Sequence, residues 1–462
     1  MTSQMLNHEL EALMAEAKLS HAALARTVNH LGGIRHGLRL AYDYRSVGRW
    51  LRGAIPDPPA PELIAAALAH ALRRPVEPHH LGFDRTGQAR QSLALPATAA
   101  GTVATVTGLW ADAMDRRAML HGSAAFAAAL ALEAAVDWRF APASQAPHRD
   151  TGTVQVTDAD VEQLHTARRR FRQLDHINGG GHALTAIEHY LHTEVSPLLK
   201  GRYSGTVGRD LFRATAMLAE TTAWMAMDAG YHGLAQRCYI QAAGLARHAG
   251  DTAYGALVTG HLATQALYLG HTRTAVRLAR TARDGGGHAI PATLSARIAV
   301  TEARAHALLG DAHETIRALR AGEQAMNRAD PARDPEWLAA CTRAHFAGSA
   351  MHALRDLGHH DEAARYAADA LDLPPENART RALHTVLLAS VLAAKGDLDG
   401  ATGTAQQVSA IATTIKSTRL DERLNEFAAR LTPHRAARVV ADYLSDQDQR
   451  ASRTRCSLPG SP

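Results

Sequence analysis

The chain is poor in cysteine and in aromatic residues, and each scarcity removes a class of fold or site. Its three cysteines, Cys238, Cys341 and Cys456, lie far apart and form no Cys-x-x-Cys pair. A disulfide framework and a cysteine-ligated zinc site are therefore not expected, and reduced thiols fit a cytoplasmic protein. Aromatic residues make up 5% of the chain. Alanine and leucine, which favour helices, dominate the apolar residues, so we predict an all-α fold.

Long hydrophobic runs and targeting segments are also missing from the sequence. The apolar run at residues 122–132 is too short to cross about 30 Å of hydrocarbon. The first ten residues, MTSQMLNHEL, contain no apolar stretch of the kind found in secretory signals. We therefore expect a soluble, cytoplasmic protein that has no membrane partner.

The sequence lacks the common motifs of enzymes and cofactor sites. It contains no HExxH, GxSxG or GxxxxGK[ST] string, and its 27 histidines show no metal-ligand spacing. The string GGGH occurs at residues 179–182 and 285–288. Neither copy follows a strand pattern, which favours interhelical turns over phosphate-binding loops. We expect no catalytic residues, no metal and no cofactor.

Positive charge is concentrated near the N-terminus. The whole chain has a formal net charge of +5, which by itself does not indicate a nucleic-acid partner. Residues 20–53 alone contain six arginines and one acid, Asp43, with Tyr42, Tyr44 and Trp50 among the arginines. Duplex DNA attracts such a surface because it carries one negative charge about every 1.7 Å of its axis. On charge alone, a solvated helix face is the alternative interpretation.

The order of elements around these arginines indicates a helix-turn-helix domain. Ser20 suits the N-cap of a helix SHAALARTV, and a second short helix lies in YRSVGRWLRG. A proline-rich stretch and a helix PELIAAALAHAL follow. Residues 7–75 thereby resemble the Cro and lambda-repressor (XRE-type) family. The residues that match its pattern are Ser20, Leu24, Ala25, Ser46, Val47, Trp50 and Gly53.

This resemblance implies contacts to double-stranded DNA. The second helix of the pair would lie in the major groove, with Arg45 and Arg49 as the readers of guanine. Ser20 and His21 would touch phosphates, while the side chains at 47 and 50 would pack inside the domain. The predicted DNA-binding set is Ser20, His21, Arg35, Arg39, Tyr44, Arg45, Ser46, Arg49 and Arg52, with Asp43 also facing the groove.

One interval departs from the family's pattern. Ala25 and Val47 are 22 residues apart, where the family has about 10, so about 12 additional residues enlarge the turn between the helices. Arg35, His36 and Arg39 lie in this insertion, HLGGIRHGLRLA. They either hold backbone phosphates or are solvated, and the two interpretations carry equal weight.

A repeat occupies the C-terminal half of the chain. Glycines 230, 270, 310, 358 and 396 follow helical patterns at intervals of 38 to 48 residues, and a small residue lies five positions after each. Each glycine is predicted to end a helix in the left-handed conformation, and each unit is a helical hairpin that must stack on its neighbours. The array resembles tetratricopeptide repeats, whose usual unit has about 34 residues.

These patterns divide the chain into five predicted regions. They are a helix-turn-helix domain at residues 1–85, a linker at 86–105, a helical connecting region at 106–205, an α-solenoid of tetratricopeptide-like hairpins at 206–446 and a disordered tail at 447–462.

The whole chain, including FRQLDHINGGGH and AWMAMDAGYHGLAQRCYIQAAGLARHAGD, is similar to actinobacterial regulators that combine these two domains. The resemblance implies a sequence-specific transcriptional regulator that binds DNA as a homodimer and senses a peptide or a small signalling molecule. Tyr254, His261, Gln265 and Tyr268 share a helix face by their spacing and are the candidate groove residues. The alternative is that these are ordinary exposed polar and half-buried aromatic residues of a repeat helix, and this interpretation is favoured.

Two alternative functions stay open at this point. One is a tetratricopeptide scaffold that binds a protein partner without recognising DNA. The other is an enzyme with a pocket between repeats, which would need a base within hydrogen-bond reach of a nucleophile.

Overall fold

A computed structural model shows that the chain is helical, which confirms the predicted all-α class. The structure describes residues 7–36, 38, 40–52, 54, 56, 59–72, 74, 76, 81, 92–113, 126–140 and 147–456. Within these ranges the β-structure is limited to two isolated bridges, Arg149 with Tyr203 and Gln155 with Arg202. The chain forms two compact units, residues 1–91 and 92–462.

Four short helices lie in the described part of the N-terminal unit. They are α1 (His8–Glu16), α2 (His21–His36), α3 (Tyr44–Leu51) and α4 (Ala60–Leu72). Helix α2 packs against α3 and α4, and α1 contacts both of these as well. The apolar residues that give each helix its amphipathic pattern meet in one core, which includes Leu10, Leu24, Val28, Val47, Trp50, Leu63, Ile64 and Leu68. The sequence predicted all four helices, but it placed the end of α2 two turns too early.

The described part of the C-terminal unit contains further α-helices. They are α5 (Ala99–Ala113), α6 (Ala128–Phe140), α7 (Asp158–Asn178), α8 (Gly180–Tyr190), α9 (Ser196–Leu199), α10 (Gly205–Asp228), α11 (His232–His248), α12 (Thr252–Tyr268), α13 (Thr272–Gly286), α14 (Ala292–Leu308), α15 (Ala312–Asn327), α16 (Arg343–Asp356), α17 (His360–Arg365), α18 (Ala367–Leu371), α19 (Ala378–Ala394), α20 (Leu398–Ile411), α21 (Thr418–Leu431) and α22 (Arg438–Cys456).

Two of the predicted non-helical segments contain helix. Helix α5 begins at Ala99, inside the predicted linker at 86–105, and its Val103 and Val106 are buried. The low charge of this stretch therefore reflects packing inside the C-terminal unit. Helix α22 continues to Cys456, into the predicted tail at 447–462.

The repeated glycines end their helices as the sequence predicted. Glycines 230, 270, 310, 358 and 396 all have φ between 73° and 87°, the left-handed region that side chains disfavour. The small residues five positions later, Ala235, Ala275, Thr315, Ala363 and Ala401, all have 0% exposure. Each therefore lets the following helix pack closely on its neighbour. A sixth turn of this type, at Gly250 with φ 71°, joins α11 to α12 and was not predicted.

A buried ionic network connects α7 and α10 to α19 in the C-terminal unit. Arg379, at the start of α19, donates from Nη1 and Nη2 to the two carboxylate oxygens of Asp175 on α7, at 2.6 and 2.8 Å. The same Nη1 lies 3.1 Å from Oδ2 of Asp228, the last residue of α10. Burial opposes the charge of Arg379, but the two carboxylates outweigh it and raise its pKa. The network therefore joins two residues, Asp175 and Arg379, that lie 204 positions apart in the sequence.

The first GGGH string lies beside this network and explains its glycines. The amide of Lys416 donates to the carbonyl of Asn178 at 2.7 Å, and the amide of Gly181 donates to the carbonyl of Lys416 at 3.2 Å. A Cβ on Gly179 would lie 2.4 Å from the Lys416 carbonyl oxygen, and one on Gly180 would lie 2.5 Å from the Met225 carbonyl oxygen. Gly179 alone lies between the helices, since Gly180, Gly181 and His182 already belong to α8. The glycines permit two backbones to approach.

Removing the shared arginine should destabilise the C-terminal unit. In an Arg379→Met variant, Asp175 would stay buried without its cation, which typically costs about 3–5 kcal/mol, while Asp228 would keep Arg419 at 3.8 Å. Urea denaturation followed by circular dichroism measures this loss. Arg320→Met, at an exposed position of α15, is the matched control and should change the free energy of unfolding by less than about 0.5 kcal/mol. Equal stabilities of the two variants would contradict the role given to the network.

Candidate nucleic-acid interface and cationic cavity

Helix α3 begins with a capping box. The Asp43 carboxylate accepts from the Ser46 amide at 2.8 Å and from the Ser46 hydroxyl at 2.9 Å. The hydrogen bond from the Ser46 backbone amide lowers the pKa of Asp43. This carboxylate is therefore ionised where the helix N-terminus favours negative charge. Ser46 is 5% exposed. Ser46, a member of the predicted DNA-binding set, is therefore buried and belongs to the cap of α3.

The two faces of α3 have opposite surroundings. Val47 and Trp50 are buried in the core of the N-terminal unit. Tyr44, Arg45 and Arg49 are exposed, and Arg45 Nε donates to the Tyr44 hydroxyl at 3.1 Å. Arg52, which caps the C-terminal end of the helix, is exposed as well. Among the described residues, no carboxylate forms an ion pair with these three arginines.

The start of α2 presents the other predicted contacts. The Ser20 hydroxyl accepts from the Ala23 amide at 3.3 Å, so this residue is the N-cap that the sequence predicted. His21 is the first residue of α2, and both residues are exposed. Arg39 and the side chain of Arg35 lie outside the described residues.

The insertion between α2 and α3 is held by one asparagine. Its first residues extend α2 to His36, and the rest forms the connection to α3. The Asn29 side chain donates to the Tyr42 carbonyl at 2.8 Å and accepts from the Tyr42 amide at 3.0 Å. The Tyr42 ring meets the Trp50 ring edge to face, at 5.0 Å between centroids. The sequence patterns did not single out Asn29, although asparagine inside a helix is a signal because its side chain competes for backbone partners.

Replacing Asn29 should loosen the approach to α3. An Asn29→Ala variant removes both bonds to Tyr42 and should destabilise the N-terminal unit by about 1–3 kcal/mol. Hydrogen exchange at the Tyr42 amide, which the Asn29 side chain protects, is the direct readout and should accelerate. His30→Ala, at the adjacent exposed position, should leave that exchange rate unchanged. Unaltered protection of Tyr42 in the Asn29 variant would show that Asn29 does not hold this connection.

The C-terminal unit contains a partly open cavity of about 180 Å³. Helix α7 and six later helices line it: α10, α12, α14, α16, α19 and α21. The lining contains six arginines and two carboxylates; they are Arg172, Arg297, Arg304, Arg379, Arg419 and Arg423, and Asp175 and Glu220. On α14 the lining residues Arg297, Thr301 and Arg304 follow helical spacing.

The structure separates the four predicted groove residues on α12. His261 lines the cavity, together with Leu257 and Thr264 of the same helix. Tyr254 is buried and its hydroxyl donates to Glu220 Oε2 at 3.4 Å. Gln265 is buried and donates to the His232 carbonyl at 2.7 Å. Tyr268 is half-buried, with its ring 5.5 Å from the Arg419 guanidinium.

A buried acid and a histidine form the floor of the cavity on α10 and α12. Glu220 Oε1 lies 3.1 Å from His261 Nδ1, and Arg297 Nε donates to His261 Nε2 at 3.3 Å. Burial lowers the pKa of His261, which leaves the imidazole neutral at pH 7. Burial opposes ionisation of Glu220, but His261, Arg172 and Arg168 outweigh it and lower its pKa.

The other cavity histidines add no positive charge at pH 7. Burial lowers the pKa of His176 to about 3, and Arg172 and Arg379 act in the same direction. Burial also holds the pKa of His345 and of His352 well below the ordinary value. The positive charge of the cavity is therefore that of its arginines.

Comparison with known proteins concerns the N-terminal unit. Residues 10–84 match a family model described as the SP15 N-terminal domain. This match covers less than half of the chain and lies within the first compact unit. Comparisons with curated proteins and with solved structures gave no match.

Two searches over the described part of the chain bear on the kinds of site present. No helix there combines the length and apolar character needed to cross a membrane. No group of three or more His, Cys, Asp or Glu side chains in the same residues comes together to hold a metal ion.

Proposed function

We propose that the protein is a sequence-specific DNA-binding transcriptional regulator in which α3 lies in the major groove. The observation that carries the proposal is the division of α3 into two faces. Val47 and Trp50 anchor one face in the core, while Arg45 and Arg49 are exposed on the helix without an acidic partner among the described residues. Exposed guanidinium groups that lack an acidic partner are suited to bidentate hydrogen bonds with guanine.

The start of α2 supports the same proposal. Ser20 and His21 are exposed where the helix N-terminus concentrates unpaired amides and positive potential. Such helix ends hold phosphate oxygens and set the register of a DNA-binding domain on the duplex. In this proposal α2 contacts the backbone and α3 reads base edges.

The C-terminal unit is proposed as the regulatory part, built from tetratricopeptide-like hairpins. Its repeated left-handed glycines and fully buried small residues support a stack of similar units. We propose that the chain acts as a homodimer, because two recognition helices on half-sites one helical turn apart multiply the specificity of a small domain. A ligand that prefers one arrangement of the helices would then shift the population able to bind DNA.

Neutralising the exposed arginines of α3 should abolish specific binding. A duplex enriched by the full chain from a randomised library is the probe, and fluorescence anisotropy measures its Kd. Each bidentate guanine contact is worth about 1–3 kcal/mol, so an Arg45→Ala/Arg49→Ala double variant should bind at least about 30-fold more weakly. The affinity of the wild-type chain should fall log-linearly with salt concentration, as counterions are released from the duplex.

Arg74→Ala is the matched control in the same unit. Arg74 pairs with Glu16 at 2.7 Å, and both side chains are about half exposed, so its loss should cost less than about 1 kcal/mol of stability. Its affinity for the duplex should stay within about twofold of wild type. A folded double variant that binds as tightly as the control would overturn the proposal. So would a wild-type chain that enriches no duplex, a result that favours a protein-binding scaffold.

A further inference from the structure

The cavity of the C-terminal unit has more positive than negative groups on its wall. Six arginines and two carboxylates line it. Neighbouring carboxylates neutralise part of this excess positive charge. Arg379 pairs with Asp175 and Asp228, and Arg423 lies 2.7 Å from Glu426. Arg172 lies 3.8 Å from Glu220, and Nη1 of Arg419 lies 3.8 Å from Asp228.

Two arginines of α14 have no such compensation. Arg297 donates to the neutral His261, and among the described residues no carboxylate oxygen lies within 4 Å of either Arg297 or Arg304. The Nε of Arg304 is buried and has no hydrogen-bond partner. Burial and the neighbouring Arg423 lower the pKa of Arg304 to about 9 and outweigh the opposing effect of Asp356.

A further unpaired donor lies beside the same space. The Nε of Arg419, on α21, is buried without a hydrogen-bond partner, and this residue lines the cavity. Donors on two helices, α14 and α21, therefore border one volume. Buried cations and donors of this kind are costly unless an acceptor satisfies them. An oxyanion placed among them would supply both the acceptors and the charge.

The size of the cavity limits what that anion can be. A volume of about 180 Å³ is slightly larger than an engineered cavity of about 150 Å³ that takes up benzene. This volume suits a small molecule.

We propose that this cavity binds a small metabolite with phosphate or carboxylate groups, held by Arg297 and Arg304 of α14. The binding site follows from the cavity alone. Only its role as the effector site rests on the proposed function, because the ligand would join α14 to α21 and so favour one arrangement of the helices.

Isothermal titration calorimetry of the full chain in low-chloride buffer tests the proposal, with pyrophosphate and citrate as probes and glucose as the uncharged control. At least one oxyanion should bind, and glucose should not. Stronger binding of pyrophosphate would identify a phosphorylated ligand, and stronger binding of citrate a carboxylate ligand. Absence of binding by both oxyanions would overturn the proposal.

Variants locate the site. Arg297→Gln and Arg304→Gln should each weaken binding at least about tenfold, whereas Arg320→Gln, at an exposed position, should bind as wild type does. Without ligand, Arg304→Gln should melt at a temperature equal to or higher than that of the wild type, because an uncompensated buried charge has been removed. Folded variants that retain wild-type affinity would overturn the proposal.

A measurement on the wild-type chain covers the case in which the variants do not fold. Bound pyrophosphate should slow hydrogen exchange in α14 and α21. Protection confined to α2 and α3 would show that the anion binds the exposed arginines of the N-terminal unit, and would overturn the proposal. The Arg45→Ala/Arg49→Ala variant should bind pyrophosphate as wild type does, so loss of DNA binding and loss of anion binding are separate results.

Discussion

The C-terminal unit depends on one arginine that is shared by two buried carboxylates. Arg379 joins Asp175 and Asp228, and the adjacent glycine string lets the backbone of Lys416 dock against the end of α7. These contacts bring α7, α10 and α19 together. They also set the positions of the helices that line the cavity. A buried ion pair is weak evidence for net stability, but it strongly specifies which groups must meet, since any other arrangement leaves charges unpaired.

Arginine has two different settings in this protein. On α3, Arg45 and Arg49 are exposed, which suits the large polyanion proposed as their partner. In the cavity, Arg297 and Arg304 are half-buried between helices, which suits the small anion proposed there. The electrostatic principle is the same in both places, and the accessible space decides the size of the partner.

Local features of the fold were predictable from the sequence, and long-range ones were not. The left-handed turn at Gly230 and the buried Ala235 follow from neighbouring residues, because helix ends and close packing have local signals. The pairing of Asp175 with Arg379 spans 204 positions and has no local signal. Helical spacing showed that His261 shares a face with other residues of α12, but it could not show which face lines a cavity. For α3, the pattern predicted the buried Trp50, while the capping role of Ser46 depends on Asp43 in its observed geometry.

The central claim is that individual arginines of α3 read bases, and the most direct test compares the DNA motifs chosen by single variants. Wild type, Arg45→Ala and Arg49→Ala would each select duplexes from the same randomised library. If the account is correct, each variant loses the preference for guanine at one position of the motif and keeps the preferences elsewhere. Identical motifs for all three proteins would contradict it, because the arginines would then contact phosphates alone or not touch the duplex.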